Sequence, residues 1–150
     1  MKPKRIKALR PQVRKQADVE RYSTDGCKIV WRFDLVDRDG QFAFVPSDPR
    51  FDAAEVLEKV IEYSRLTWAE LKSATHDQGK SQHHFLEPQT LSREAWERVR
   101  AKHLEEEADA IFSFRLQNKL RIIGIRRGEN FHAVWYDPEH NFCPSRKKHT

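Results

Sequence analysis

Residues 111–136 have the sequence IFSFRLQNKLRIIGIRRGENFHAVWY, and this stretch decides the fold. Polar side chains are interspersed with apolar ones in three runs, Ile111–Gln117, Leu120–Arg126 and Phe131–Tyr136, which is typical of β-strands. Asn118-Lys119 separates the first two runs, and a segment containing Gly128 separates the last two. Short turns of this composition join antiparallel strands, so the stretch predicts a three-stranded antiparallel meander.

The same turns predict a register for the meander. If Asn118-Lys119 is a two-residue turn, Ser113 lies opposite Gly124, and the second turn places Gly124 opposite Ala133. A row of small residues would then cross the sheet between arginines and aromatic rings, forming a shallow trough for a phosphodiester backbone. The bordering residues are Ile111, Arg115, Ile122, Arg126, Phe131 and Trp135. The alternative interpretation is that Gly124 marks a β-bulge and that this face packs against the N-terminal hairpin.

The N-terminal part of the chain has the pattern of a β-hairpin. Alternate residues from Cys27 to Leu35 form one strongly apolar face. Asp37–Gly40 is a turn sequence, and Gln41–Val45 can return as the second strand before Pro46 ends the segment.

Capping patterns mark three helix starts. Asp52 with Glu55, and Thr67 with Glu70, match the capping box, and Ser92 precedes a third amphipathic run. The predicted helices begin after Asp52, cover about Trp68–Ala74, and extend from Arg93 to about Glu107.

The order of elements predicts the fold class. The polar segment His76–Gln89 has no helical period, so it is predicted to be a loop or a short edge strand. A hairpin, about three helices and then a meander indicate an α+β fold with an antiparallel sheet packed by helices. Residues 23–142 would form this single domain, between a flexible basic arm, 1–22, and a basic tail, 143–150.

The composition excludes several protein classes. Of the 150 residues, 38% are hydrophobic and 34% are charged, and no window approaches the ~20 consecutive apolar residues that cross a bilayer. Two cysteines, Cys27 and Cys143, and an N-terminus without the apolar run of an export signal predict a reducing compartment. We therefore expect a cytoplasmic protein with no membrane partner.

Positive charge is concentrated in three places. Residues 1–15 hold seven basic side chains and no acid, residues 113–132 hold five against one acid, and the tail contains Arg146-Lys147-Lys148. Because the formal net charge is +5, residues 16–150 together carry −2. Basic arms and patches attract phosphate polyanions by counterion release, which predicts nucleic acid or another acidic partner. A merely solubilising arm is the alternative.

Histidines supply the candidate proton-transfer groups. Imidazole titrates near neutral pH, so it can take a proton from a ribose 2′-hydroxyl or give one to a leaving 5′-oxygen, while cations stabilise the phosphorane. The histidines concerned are His76, His83, His84, His132 and His140. Spare surface histidines are the alternative interpretation. No HExxH, paired CxxC or EF-hand spacing is present, so we expect neither a metal nor a cofactor.

The stretch from about 51 to 140 resembles the RelE-like ribonuclease toxins of bacterial toxin–antitoxin systems. The similar segments are Phe112–Leu116, Leu120–Arg126 and Phe131–Tyr136. In that family, amphipathic helices pack on a curved antiparallel sheet, and basic, histidine or tyrosine side chains lie on the sheet and its C-terminal segment. Four parts depart from the family pattern: the basic arm, the N-terminal hairpin, the His76–Gln89 segment and the Trp135–His140 tail.

The resemblance implies roles for particular residues. Arg115, Arg121 and Arg126 would stabilise phosphate, while His132, Tyr136 or His140 would move protons. We predict Arg115, Arg121, His132, Tyr136 and His140 as the catalytic set. The predicted nucleic-acid-binding residues are Lys80, His83, His84, Lys119, Arg126, Arg127, Trp135, Lys147 and Lys148. RNA, including ribosome-bound mRNA, and a small antitoxin protein are the implied partners.

Three functions follow as hypotheses. The first is a small RNA-acting toxin, a metal-independent endoribonuclease of the mRNA interferase type. The second is a non-catalytic inhibitor or accessory factor, such as phages encode, that binds nucleic acid or a protein of the nucleic-acid machinery. The third is an assembly protein whose aromatic faces form oligomer interfaces. The first requires that arginines and histidines converge at one place.

Overall fold

Five strands form one mixed sheet in a computed structural model that describes residues 24–74 and 82–144. The strands are β1 (Val30–Arg32), β2 (His84–Phe85), β3 (Ile111–Arg115), β4 (Arg121–Arg127) and β5 (Asn130–Asp137), in the spatial order β1-β5-β4-β3-β2. The helices are α1 (Ala53–Tyr63), α2 (Trp68–Ser73) and α3 (Arg93–Ala101), with short 3-10 helices at Pro88–Thr90 and Glu105–Ala110. The predicted α+β class is confirmed. The His76–Gln89 segment, predicted to be a loop or a short edge strand, contains β2, which lies at the edge of the sheet. The predicted arm, 1–22, and residues Lys80, Lys147 and Lys148 lie outside the described residues.

The three predicted helix starts are confirmed. Asp52 accepts a hydrogen bond from the Glu55 N–H at 3.0 Å, and the Ser92 side chain accepts one from the Ala95 N–H. Thr67 and Glu70 form the reciprocal capping box, with each side chain accepting from the other residue's N–H. These caps satisfy N–H groups that the first helical turn leaves without a partner.

Helix α3 ends six residues earlier than predicted, because the chain forms a Schellman motif there. His103 has φ 59°, its N–H donates to the Arg100 carbonyl, and the Leu104 N–H donates to the Val99 carbonyl. Val99 and Leu104 also share the same apolar cluster, which is the contact that accompanies this motif. Histidine rather than glycine occupies the left-handed position, so the composition did not signal the end.

The predicted N-terminal hairpin is wrong, and the sheet is not antiparallel throughout. β1 pairs in parallel with β5, with Trp31 opposite Phe131. In the described residues up to Ala74, no second strand follows β1. Instead, the Asp37 N–H donates to the Val134 carbonyl, and the Phe42 carbonyl accepts from the Tyr136 N–H. The segment therefore satisfies part of its backbone against β5, while the Phe44 N–H donates to the Asp37 carbonyl within the segment itself.

The register of β3 and β4 differs from the prediction by one residue. Ser113 lies opposite Ile123 instead of Gly124. The connecting loop has three residues rather than two, because the Leu116 N–H donates to the Leu120 carbonyl and Asn118 takes φ 50° between them. Side chains alternate between the two faces along a strand, so a shift of one residue changes which side chains of β3 and β4 share a face. Phe112 and Phe114 therefore lie on the same face as Ile122 rather than with Ile123 and Ile125.

The predicted register of β4 and β5 is correct from Gly124 to the end of β4, but the observed register differs by one residue before Gly124. Gly124 lies opposite Ala133 as predicted, but Ile123 lies opposite Trp135, so the strand pair contains a β-bulge. Val134 is the additional residue. The alternative interpretation of Gly124 as a bulge position is therefore confirmed.

Both faces of the sheet are buried, so the predicted trough does not exist. One face packs against α1, α2 and the N-terminal segment, and the other packs against α3 and the end of the described chain. The first cluster includes Phe44, Val56, Tyr63, Trp68, Phe112, Phe114, Ile122, Phe131 and Ala133. The second includes Phe42, Ala95, Val99, Ile111, Ile123, Ile125, Trp135 and Phe142. None of the described helices has the length and apolar composition that a bilayer-crossing segment needs.

Candidate functional site

Basic residues meet where three strands end together. Arg115 is the last residue of β3, Arg121 is the first of β4, and the register places them opposite each other. Asp137, the last residue of β5, lies opposite Arg121 on its other side. We use the name cationic cluster for Arg115, Lys119 and Arg121 together with His84 of β2 and His140, which follows β5. All five were among the predicted site residues.

The members of the cationic cluster affect one another's pKa values. Burial lowers the pKa of His140, and the positive charges of Arg121, His84, Arg115 and Lys119 lower it further. Burial and the charge of Arg121 likewise lower the pKa of His84. Burial lowers the pKa of Arg121, and Arg115 adds to that effect. Because like charges raise the free energy of each protonated group, the cluster favours neutral imidazoles and attracts an anion.

The cluster has three permanent cations, Arg115, Lys119 and Arg121, and between described residues no ion pair with a carboxylate neutralises them. The charge of Asp137 nevertheless acts on Arg121 and opposes the lowering of its pKa. The Arg121 guanidinium donates to the carbonyls of Asn118 (2.7 Å) and Leu120 (3.1 Å), which orients it at the β3–β4 loop.

Asp137, the carboxylate beside the cluster, is hydrogen-bonded to the backbone of the turn that follows it. Its two oxygens accept from the N–H groups of Asn141 and Phe142, both at 2.9 Å, and the side chain is buried. Burial raises the pKa of Asp137 against the opposing effect of these hydrogen bonds. The residues that follow Asp137 thus form a turn after β5. This turn carries His140, with φ 63°, to the cluster.

Two predicted arginines lie away from the cluster, at the other end of β4. Arg126 is 2% exposed, donates to Asp25 at 2.7 Å, and lies 4.0 Å from the ring of Trp68. Arg127 forms a bidentate ion pair with Glu107, with both N–O distances 2.7 Å. Arg126 ties the chain before β1 to the sheet, and Arg127 ties β4 to the second 3-10 helix.

Three other predicted residues are buried and hydrogen-bonded to other parts of the fold. His132 lies 2.8 Å from Asp34 through Nδ1, and the Trp135 indole donates to Asp37 at 3.0 Å. The Tyr136 hydroxyl accepts from the Asp52 N–H at 2.9 Å, where α1 begins. None of the three is more than 6% exposed, so their rings are not available for stacking on a base.

His83 lies directly behind the cluster and is buried. Its Nδ1 accepts from the Arg115 N–H at 3.1 Å, and the ring contacts Tyr63 and Phe114. Burial lowers the pKa of His83 to about 4, with smaller effects from His84, Arg121, Arg115 and Lys59. The ring is therefore neutral at pH 7 and acts as a hydrogen-bond acceptor.

His83 makes stability depend on pH. The unfolded chain binds the proton below pH ~6.5 and the folded chain only below about 4, so stability is full above pH ~6.5 and falls as the pH drops toward 4. We expect His83 to contribute about 2 kcal/mol less stability at pH 5 than at pH 7. Urea unfolding at both pH values measures this difference, and His83→Asn, which does not titrate, should reduce the loss by that amount. An equal pH-dependent loss in the variant would contradict the assignment.

Among residues 24–74 and 82–144, no group of three or more His, Cys, Asp or Glu side chains is arranged to hold a metal ion. No protein-family model and no curated protein matches the sequence, and no solved structure matches the fold. Function is therefore inferred from the chemistry of the cationic cluster.

Proposed function

We propose that the protein binds RNA through the cationic cluster. The observation that carries the proposal is the convergence of Arg115, Lys119 and Arg121 at the end of the sheet, where none of them forms an ion pair with a carboxylate of the described residues. Guanidinium groups bind phosphate oxygens bidentately, and lysine adds a point charge. Three such groups suit adjacent phosphates of one strand.

The surroundings of the cluster favour contacts to the phosphate backbone rather than to bases. In the described part of the chain, Phe33 is the only aromatic residue among the exposed large hydrophobic side chains. It follows β1, at the sheet edge opposite to β2 and β3. Without an exposed phenylalanine, tyrosine or tryptophan ring beside the cations in the described part of the chain, binding depends mainly on charge and has little sequence preference.

Salt dependence tests this proposal. We expect Arg115→Ala and Arg121→Ala each to weaken binding of a labelled single-stranded RNA about tenfold at ~50 mM salt, because each removes a charge-assisted contact to phosphate. Each variant should also reduce the slope of log affinity against log salt by about 0.7, the value for one phosphate on a single strand. Fluorescence anisotropy between ~50 and ~200 mM salt measures both quantities.

Arg127→Ala is the matched control, since it removes the same charge from the opposite end of β4. The basic residues 1–15 and the tail contribute equally in all variants and cancel in the comparison. Loss of affinity in Arg127→Ala equal to that in Arg115→Ala would assign binding to overall charge and contradict a site at the cluster.

A second candidate function, metal-independent cleavage of RNA, is favoured by the two histidines of the cluster. One neutral imidazole would take the proton of a ribose 2′-hydroxyl, and the 2′-oxygen would attack phosphorus. The arginines would stabilise the phosphorane, and the other imidazole, protonated beside the bound phosphate, would protonate the 5′-oxygen as its bond to phosphorus breaks. The products would be a 2′,3′-cyclic phosphate and a 5′-hydroxyl.

The biological setting rests on the resemblance to RelE-like toxins. A toxin role, ribosome-bound mRNA as substrate and a small antitoxin partner stay predictions from that resemblance. Binding without cleavage would instead support the inhibitor or accessory factor.

A further inference from the structure

Buried side chains hold the backbone of Arg115 at both of its polar groups. Its N–H donates to Nδ1 of His83 at 3.1 Å, and its carbonyl accepts from the Tyr63 hydroxyl at 2.6 Å. His83 belongs to the segment leading into β2 and Tyr63 is the last residue of α1, so two separate elements contact one residue of β3.

The shortness of β2 explains why side chains are needed. β2 pairs His84 with Ser113 and Phe85 with Phe112, so its register would place Gln82 opposite Arg115. β2 does not extend to Gln82, and the outward-facing N–H and carbonyl of Arg115 have no strand partner. Backbone groups at such a position must be satisfied by other means, and here two buried side chains do so.

The two side chains form a rigid support. His83 is 2% exposed and Tyr63 is 6% exposed. The ring centroids of His83 and Tyr63 lie 4.9 Å apart. Both rings also pack against Phe114, whose centroid lies 5.6 Å from that of His83 and 5.7 Å from that of Tyr63. Aromatic rings packed in this way have little rotamer freedom, so the hydrogen-bonding atoms stay in place.

We propose that His83 and Tyr63 are positioning residues that fix the Arg115 guanidinium in the cationic cluster for contact with RNA phosphate. This inference rests on the proposed function. Neither residue needs to touch RNA, because each acts through the backbone of Arg115. The acceptor role requires a neutral His83, which the lowered pKa provides at pH 7.

A double-mutant cycle separates positioning from a general structural role. We expect His83→Leu and Tyr63→Phe each to weaken RNA binding about threefold to tenfold in the anisotropy assay, the effect of one lost buried hydrogen bond. In the Arg115→Ala background, the same substitutions should have no further effect. His83→Asn keeps an acceptor near the Nδ1 position and should restore binding to within about twofold of the wild type. Losses that persist in the Arg115→Ala background, or no rescue by asparagine, would overturn the inference.

Hydrogen exchange of the Arg115 amide tests the contact without RNA. The amide should exchange about tenfold faster in His83→Leu than in the wild type and recover in His83→Asn. If Arg115→Ala binds RNA normally, the proposed function fails, whatever the exchange result. If Arg115→Ala weakens binding but His83→Leu changes neither affinity nor exchange, the positioning role alone fails.

Discussion

Replacing His140 by alanine is expected to reduce RNA cleavage in EDTA by about 100-fold or more, while RNA affinity changes less than about twofold. Burial and the neighbouring cations lower the pKa of His140, so the ring is neutral near pH 7 and adds little charge to the binding site. Its removal would eliminate a proton-transfer group and leave the three permanent cations in place. His84→Ala should have an effect of the same kind, because His84 lies in the same cluster.

The measurement is the rate of appearance of 2′,3′-cyclic phosphate ends, with RNA alone and with ribosomes. His103→Asn serves as the control, because His103 is an exposed histidine at the end of α3 and asparagine tolerates its positive φ. Equal loss in His103→Asn would indicate an indirect effect. Binding by the wild-type protein with no cleavage under either condition would exclude the enzyme and leave the RNA-binding function.

Local signals made much of the fold predictable from the sequence. Asp52, Thr67 and Ser92 each cap a helix by accepting a hydrogen bond from the residue three positions later. Both partners of each cap are therefore visible in a short stretch of sequence. The three meander strands likewise lie close in sequence. The prediction of an N-terminal hairpin failed because Asp37, which keeps the local contact to the Asp39 N–H, also accepts hydrogen bonds from Arg98 and Trp135, which are distant in the chain.

The candidate site could be predicted only in part, for a related reason. Charge and chemistry selected Arg115, Arg121 and His140, which do converge. The same criteria also selected Arg126, whose partner Asp25 lies about 100 positions away and removes it from the surface. His83 was selected as a phosphate contact, but its role depends on the length of β2, which no local pattern indicates. The predicted trough was wrong because it depended on the register of β3 and β4. Composition does not distinguish a three-residue loop from a two-residue turn, and the two give registers that differ by one residue.

The free energy of unfolding is expected to fall by at least about 3 kcal/mol in Gly124→Ala. A Cβ atom at this position would overlap the backbone carbonyl oxygen of His132 and lie 2.9 Å from Cζ of Phe131. His132 cannot move aside, because β5 is paired with β1 on one side and with β4 on the other. The clash is therefore with fixed backbone rather than with a flexible side chain.

Gly26→Ala is the matched control, because its Cβ would meet no atom within 4 Å. Its stability should stay within about 0.5 kcal/mol of the wild type, as measured by urea unfolding. Similar stability of the two variants would contradict the close approach of β4 to β5. Gly124 also lies at the β-bulge that sets Arg121 opposite Asp137. A Gly124→Ala protein that folds by shifting this bulge should therefore lose RNA cleavage together with stability, since the shift moves Asp137 and the following His140 relative to Arg121.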